Sequence, residues 1–277
     1  MKVLDLFSGI GGFALGLEAA GFETAAFCEI DPYAQKVLKK NWPGVPIYDD
    51  VRRITADRLV SDGVGVDVIT GGFPCQDIST AGRQAGIDGE RSGLWSECAR
   101  LLGDIRPRYA IFENVTNLLT GDGGDWFKRV LWDISSVGYD AEWHCIPASA
   151  IGAHHHRDRI WIVAYPNSDS QSGVALNAGE IHPPSLLAYP RECEWQSGAE
   201  KQRVLRTLQE NGAITDNSGG RGEASFARQW AAEPNVGRVA NGVPARSHRL
   251  RCLGNAVVPQ IPELIGRQIM EAERGRP

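Results

Sequence analysis

The six cysteines, Cys28, Cys75, Cys98, Cys145, Cys193 and Cys252, lie far apart and include no C-x-x-C pair. This excludes a zinc-ribbon type of site and a small disulfide-stapled scaffold, and most of these side chains are expected to be buried, reduced and chemically quiet. Also missing are an apolar run approaching the roughly 18 residues of a membrane span and a signal-like apolar stretch behind Met1-Lys2-Val3-Leu4-Asp5. No repeat of solenoid length is visible. A soluble intracellular protein is the expectation. An excess of positive charge is lacking too: 29 Lys and Arg stand against 34 Asp and Glu, for a net charge of −5. That balance does not advertise a nucleic-acid binder, but it is uneven. Residues 219–277 carry 9 basic and 5 acidic side chains. Between Glu233 and Glu263 the acids vanish while Arg238, Arg246, Arg249 and Arg251 appear. Such a patch can neutralise phosphates within an acidic whole, or it can be a solvated basic surface.

What is present is a chain of 277 residues, 42% of them hydrophobic, enough for one large domain with or without a small second one. Up to residue 165, short apolar runs alternate with helical patterns, the signature of βαβ units and a doubly wound, mostly parallel sheet. Strands are expected near 2–7, 24–30, 66–71, 109–114, 141–146 and 159–165. Asp31 caps a helix that has Pro32 at its first position, and Ser92 precedes the helical spacing Leu94, Trp95, Cys98, Leu101, Leu102. From Pro166 to about Glu233 the periodicity gives way to Ser, Asn, Gly and Pro, which reads as an irregular region. Apolar order returns with Ile261, Leu264, Ile265 and Ile269 on one helical face, bringing the chain back to the first domain. The division is therefore 1–165, a short irregular region 166–249, and a returning segment 250–277.

The first strand runs into Ser8-Gly9-Ile10-Gly11-Gly12-Phe13-Ala14, a G-x-G-x-x-A turn that lets backbone approach a ligand closely. Glu29, twenty residues past Gly9, ends the second strand, where an acid meets the two hydroxyls of a ribose. A nucleoside-containing cofactor is implied, and both a nicotinamide dinucleotide and S-adenosylmethionine share this layout. Asp5, just before the glycines, repels a pyrophosphate but can hold a cationic amino-acid end, which favours S-adenosylmethionine. A Gly-rich turn that merely packs a helix on the sheet is the plain structural alternative.

The strand at 66–70 ends in Gly71-Gly72-Phe73-Pro74-Cys75-Gln76-Asp77-Ile78-Ser79. Ligands of open α/β sheets sit beyond the carboxyl ends of the strands, so Cys75 is placed at the cleft mouth as a candidate nucleophile. A lone cysteine is more often a buried small hydrophobe.

The whole constellation resembles the cytosine-5 DNA methyltransferase family. The resemblance is carried by DLFSGIGGF at 5–13, Cys28-Glu29-Ile30-Asp31, Asp49-Asp50-Val51, GGFPCQDIS at 71–79, Glu113-Asn114-Val115, His155-His156-Arg157-Asp158-Arg159 and Leu253-Gly254-Asn255-Ala256-Val257-Val258-Pro259, in the family order. It covers residues 1–165 and 250–277. It implies a Rossmann-like, S-adenosylmethionine-dependent methyltransferase fold with a small irregular target-recognition domain. The implied reaction is methyl transfer to carbon 5 of cytosine in double-stranded DNA, with S-adenosylhomocysteine as product.

By the same resemblance Cys75 adds to carbon 6, Glu113 acts as acid at N3, and Arg157 and Arg159 hold the flipped base. Phe7, Gly9, Ile10, Gly11, Glu29, Ile30, Asp50, Val51, Pro74, Asn255 and Val257 are expected at the cofactor. Asp50 takes the adenine amino group, with Ile30 and Val51 flanking the ring. DNA contacts are expected from Gln76, Ser79, Arg83 and Arg91 on a glycine-punctuated loop, and from Arg246, Arg249 and Arg251 in the basic stretch. The family further implies a monomer without a metal, in the cytoplasm of a bacterial or phage-infected cell, with a restriction endonuclease as companion. A transfer-RNA branch of the family uses the same cysteine and glutamate, and an NAD-dependent oxidoreductase fits only the first thirty residues.

There are departures from the family pattern. His155 stands where glutamine is usual, and Ile30 where an aromatic residue is common. Three consecutive histidines do not make a metal site, because neighbouring side chains on an extended chain point to opposite faces. The variable region 166–237 is short, from which a recognition sequence of a few base pairs is expected.

Overall fold

The apolar runs of the first half are nearly continuous because their strands are covered on both faces. In the computed structural model, which describes residues 1–74, 94–167 and 244–275, the first strand, β1 (Lys2–Leu6), has four successive buried residues. Leu4 and Leu6 pack on one side of the sheet with Ile69, Phe112, Ile160 and Ile162. Val3, on the opposite side, packs with Val68, Ile111, Trp161 and Val163. The period of two along each strand therefore feeds two separate cores.

The sheet has seven strands. After β1 come β2 (Glu23–Cys28), β3 (Ile47–Tyr48), β4 (Val68–Gly72), β5 (Tyr109–Val115), β6 (Tyr139–Pro147) and β7 (Asp158–Pro166), and the spatial order is β3-β2-β1-β4-β5-β7-β6. All pairings up to β5 are parallel, whereas β7 runs antiparallel to both β5 and β6. The order reverses at β1, with β2 on one side and β4 on the other. The crevice between the loops that follow β1 and β4 is the switch point where such folds bind ligands. The expected doubly wound, mostly parallel sheet is the one observed. The expected strands are all present with ends displaced by up to two residues, and β3 is an addition.

Helices α1 (Gly12–Ala19) and α2 (Pro32–Asn41) follow β1 and β2. Asp31 caps α2 by accepting from the backbone of Tyr33 and Ala34, with Pro32 at the first position. The second face carries α3 (Ala56–Ser61), α4 (Trp95–Ile105), α5 (Asn117–Thr120) and α6 (Asp125–Ser136). Buried Cys98, Leu101 and Leu102 of α4 and Phe127, Val130 and Ile134 of α6 join the core of Leu4 and Leu6. The returning segment forms α7 (Arg246–Asn255) and α8 (Gln260–Arg274). On α8, Ile261, Leu264, Ile265 and Ile269 are buried against Phe13 and Leu17 of α1, as the spacing predicts. No helix among the described residues is long and apolar enough to cross a membrane.

The seam between α1 and the returning chain depends on two glycines one turn apart. A Cβ on Gly12 would stand 2.7 Å from the Val257 carbonyl oxygen, and one on Gly16 would stand 2.1 Å from that of Pro259. Both are closer than atoms tolerate, and the obstacle is backbone. Gly16→Ala is therefore expected to force α8 away from α1 and to cost about 1–3 kcal/mol despite the better helix propensity of alanine. Denaturant unfolding beside the wild type checks this, and an unchanged or raised midpoint would contradict it.

Candidate active site

Strand register brings the functional segments to one edge. Leu6 of β1 pairs with Cys28 of β2 and Gly71 of β4, so the turn after β1, the acid after β2 and the chain leading to Cys75 leave side by side. Gly72 is level with Glu113 of β5. Because β7 is antiparallel, its first residues reach the same edge: Arg159 pairs with Val115. Glu113, two residues back from Val115 on the same face of β5, lies diagonally across from Arg159.

These segments enclose a cavity of about 310 Å³, within the range of small-molecule sites. At one end lie Phe7, Gly9, Glu29, Ile30, Asp50 and Val51, at the other Gly72, Pro74, Glu113, Arg157 and Arg159, and Asn255 and Val257 form a further wall. Of the residues expected at a cofactor, Asp5, Ile10 and Gly11 do not line it. Gly11, at φ +88°, turns the chain instead, and a Cβ there would strike the Trp42 ring at 2.5 Å.

Glu29 is almost buried, and its two oxygens accept from the backbone of Gly9 and Asp31, each at 2.7 Å. It thereby fixes the glycine turn against the start of α2. A carboxylate oxygen has more than one acceptor direction, so each remains able to take a hydroxyl. Burial raises its pKa above the usual carboxylate range, opposed by these N–H donors. Asp50 caps a 3-10 turn at Val51–Arg53 and is gripped by the Arg52 guanidinium at 2.8 Å. That contact holds its carboxyl below the ordinary range. Ile30 is 69% exposed, a bare aliphatic face at the mouth, while Val51 is buried.

Asp5 departs from expectation. It is wholly buried, it is absent from the cavity wall, and its carboxylate accepts from the Thr70 hydroxyl at 2.7 Å, the residue directly across from it on β4. It therefore does not touch a cationic ligand end. Its other oxygen has no hydrogen-bond partner among the described residues. Burial lifts its pKa from 3.8 to about 7, despite the opposing Thr70 bond. A carboxyl raised in this way stabilises the folded state fully below about pH 4 and loses that contribution as pH rises through about 7. The stability advantage of wild type over Asp5→Asn should therefore shrink between those values and then level off. Thermal unfolding of both proteins across that range checks it, and a constant difference would refute it.

At the other end Glu113 is buried and ion-paired with Arg159 Nε at 2.9 Å. Burial raises its pKa, and the charges of Arg159 and Arg157 oppose the shift. Next to it Asn114, also buried, donates to the Phe73 carbonyl at 3.2 Å and accepts from the Val115 N–H at 2.8 Å. This amide ties β5 to the segment that leads through Pro74 to Cys75. Gly72 leaves room for the acid, since a Cβ there would stand 3.3 Å from a Glu113 oxygen.

Cys75, Gln76, Ser79, Arg83 and Arg91 lie outside the described residues. Arg246 and Arg249 are exposed on α7, whereas Arg251 is ion-paired with Asp31 and lines the cavity. Its side chain stays 55% exposed while it meets Asp31. Cys28 and Cys252 also line the cavity, but their free thiols are pushed up by burial and neighbouring carboxylates, and the buried Cys98 likewise. None of the three is poised as a thiolate.

Residues 1–234 match the family model for C-5 cytosine-specific DNA methylase. The chain belongs to that family. Among relatives of this chain, Type II methyltransferase M2.BsuMI of Bacillus subtilis is 40% identical over 168 residues, 59% of this chain and 42% of the relative. Type II methyltransferase M.NgoMIV of Neisseria gonorrhoeae is 28% identical, with 97% of each chain covered. Apart from such full-length matches, the aligned stretch spans less than half of several relatives, as with M2.BsuMI and M.HgiBI. Among solved structures, a prophage-encoded protein of E. coli described as a DNA modification methyltransferase superposes with a TM-score of 0.63 at 18% identity, covering 99% of both chains. The S. pombe Dnmt2 methyltransferase does so with a TM-score of 0.56 at 16% identity, covering 98% of this chain and 99% of that one. Both likenesses speak to the fold.

The sequence reading did not single out Gly12, Gly16, Gly72, Arg52 or Asn114 as site residues. Asn114 and Gly72 carried a signal, standing beside a candidate acid and a candidate nucleophile. The close approaches at Gly12 and Gly16 had none, because their neighbours come from the far end of the chain.

Proposed function

We propose that this chain transfers a methyl group from S-adenosylmethionine to carbon 5 of cytosine in double-stranded DNA, through a covalent adduct of Cys75 at carbon 6. The observation that supports this most is the single cavity that joins a nucleoside-type end, with Gly9, Glu29, Asp50 and Val51, to a buried acid at Glu113. The chain to Cys75 enters between them. S-adenosylmethionine fits the donor set: Glu29 retains acceptor capacity for ribose hydroxyls, the exposed Ile30 offers an apolar face to adenine, and Asp50 offers an acceptor for its amino group. That amino group shares Asp50 with Arg52. When bound, the sulfonium supplies an electrophilic methyl.

The protein's part is to make carbon 5 nucleophilic. Cys75 as thiolate adds to carbon 6, and the electron pair moves toward N3. Glu113, protonated more readily than an exposed carboxyl because it is buried, donates a hydrogen bond at N3 and relieves the developing charge. Arg159 keeps that carboxyl in place. The target base is reached by flipping, since its ring is stacked within the duplex. The region 166–249 is assigned to target recognition and 250–277 to completing the catalytic domain. We assign the protein to bacterial or phage-infected cytoplasm, where a restriction endonuclease of the same specificity is the implied companion.

Base-resolution cytosine methylation sequencing of DNA from a methylation-free bacterial host expressing the chain tests this reading. Methylcytosine in one short context is the expected result. Unmethylated host DNA, with labelled methyl appearing in transfer RNA instead, would overturn the substrate assignment.

A further inference from the structure

Helix α7 and the residues behind it form one wall of the cavity, yet none of the helix's residues is buried. A helix with no apolar face in the core is held by polar ties or not at all. Three such ties are visible. Arg251 pairs with Asp31 at the start of α2, His248 stacks on Tyr33 with ring centroids 5.3 Å apart, and Arg157 reaches the helix's far end. Its two terminal nitrogens donate to the carbonyls of Gly254 and Ala256, each at 2.8 Å.

Those carbonyls belong to the last turn of α7 and to its capping residue, where helix C-termini leave C=O groups unsatisfied and partial negative charge accumulates. A permanently charged planar donor suits both. Arg157 also adopts φ +41°, a left-handed conformation that non-glycine residues avoid. The chain accepts that local cost where the surrounding contacts fix the side chain. Gly254, Asn255 and Ala256, the span bracketed by the two bonds, all line the cavity, as does the next residue, Val257.

We propose that Arg157 is a positioning residue for the cofactor: it fixes the wall at 254–257 as the cap of α7. This replaces a direct grip on the flipped base. The proposal rests on S-adenosylmethionine occupying this cavity. Two residues further along, Arg159 holds Glu113, so one short stretch entering β7 sets both the cofactor wall and the acid.

The decisive comparison is S-adenosylhomocysteine binding by titration calorimetry in the absence of DNA, for wild type, Arg157→Ala and Arg157→Lys. Loss of both bonds should weaken binding on the order of tenfold in Arg157→Ala, with Arg157→Lys between the two because it can satisfy one carbonyl. Amide hydrogen exchange should rise across 246–257 in both variants while β5 and β7 stay protected. An arginine that contacts only the base or its phosphates moves neither readout without DNA. Wild-type binding and exchange in Arg157→Ala, with a loss confined to DNA affinity or turnover, would overturn the proposal. Should Arg157→Ala fail to fold, the lysine variant carries the same two measurements. If wild type itself does not bind S-adenosylhomocysteine, the cofactor reading fails, and hydrogen exchange alone then decides the cap.

Discussion

Cys75→Ala should lose methyl transfer by on the order of 10⁴-fold or more, because without the thiolate carbon 5 is too weak a nucleophile to attack the methyl. S-adenosylhomocysteine binding should stay within about twofold, since the cavity wall is built from backbone turns, carboxylates and the returning chain. The measurement pairs labelled-methyl transfer to DNA with calorimetric titration of the cofactor product. The other thiols described, Cys28, Cys98 and Cys252, have pKa values pushed upward, so none of these three is a ready substitute nucleophile. Substantial residual transfer by the alanine variant would remove Cys75 from the reaction.

Glu113→Gln should lower kcat by about 10²–10⁴-fold, the range for a positioned acid, with DNA affinity nearly unchanged. Glutamine keeps the shape and can still accept from Arg159, but it cannot lend a proton to N3. The direction of the Glu113 shift adds a second readout. Burial holds this carboxyl above the usual range, so its protonated fraction persists to higher pH than that of an exposed glutamate and declines as pH rises through the shifted value. An alkaline fall in kcat present in wild type and absent from the glutamine variant is the expected signature. A loss confined to DNA binding, with an unaltered pH profile, would make Glu113 a binding residue and no more.

The layout of the fold was legible because its strands obey a simple pattern, apolar on both faces and punctuated by glycine. The cap at Asp31 and the buried stripe of Ile261, Leu264, Ile265 and Ile269 were legible for the same kind of reason, each being a local rule of spacing. The strand β3 was not, since Ile47–Tyr48 has two residues and no period. Asp5 was misread: a carboxylate before a glycine turn invites a ligand role, but on the pleat it lies level with Thr70, and that partner is 65 residues away. The pairing of Arg251 with Asp31, 220 positions earlier, was not legible either, since local charge does not name a partner so far along the chain. Sequence spacing reveals what a residue does within its own element. Which charge answers which across the fold is settled only by topology, and the antiparallel β7 supplies the case, since it alone carries Arg159 to Glu113.

The seam of Gly12 and Gly16 against the returning chain also bears on how the protein is made. A ribosome releases β1 through β7 well before it reaches Val257, Pro259 and α8, so the sheet can assemble while one wall of the cavity does not yet exist. The glycines hold a vacancy along α1 for a partner still to be translated. A growing chain therefore has Glu113 and Arg159 side by side before residues 254–257 arrive to close the cavity next to them. A chain stopped before residue 244 would leave Phe13 and Leu17 of α1 without the α8 residues that cover them.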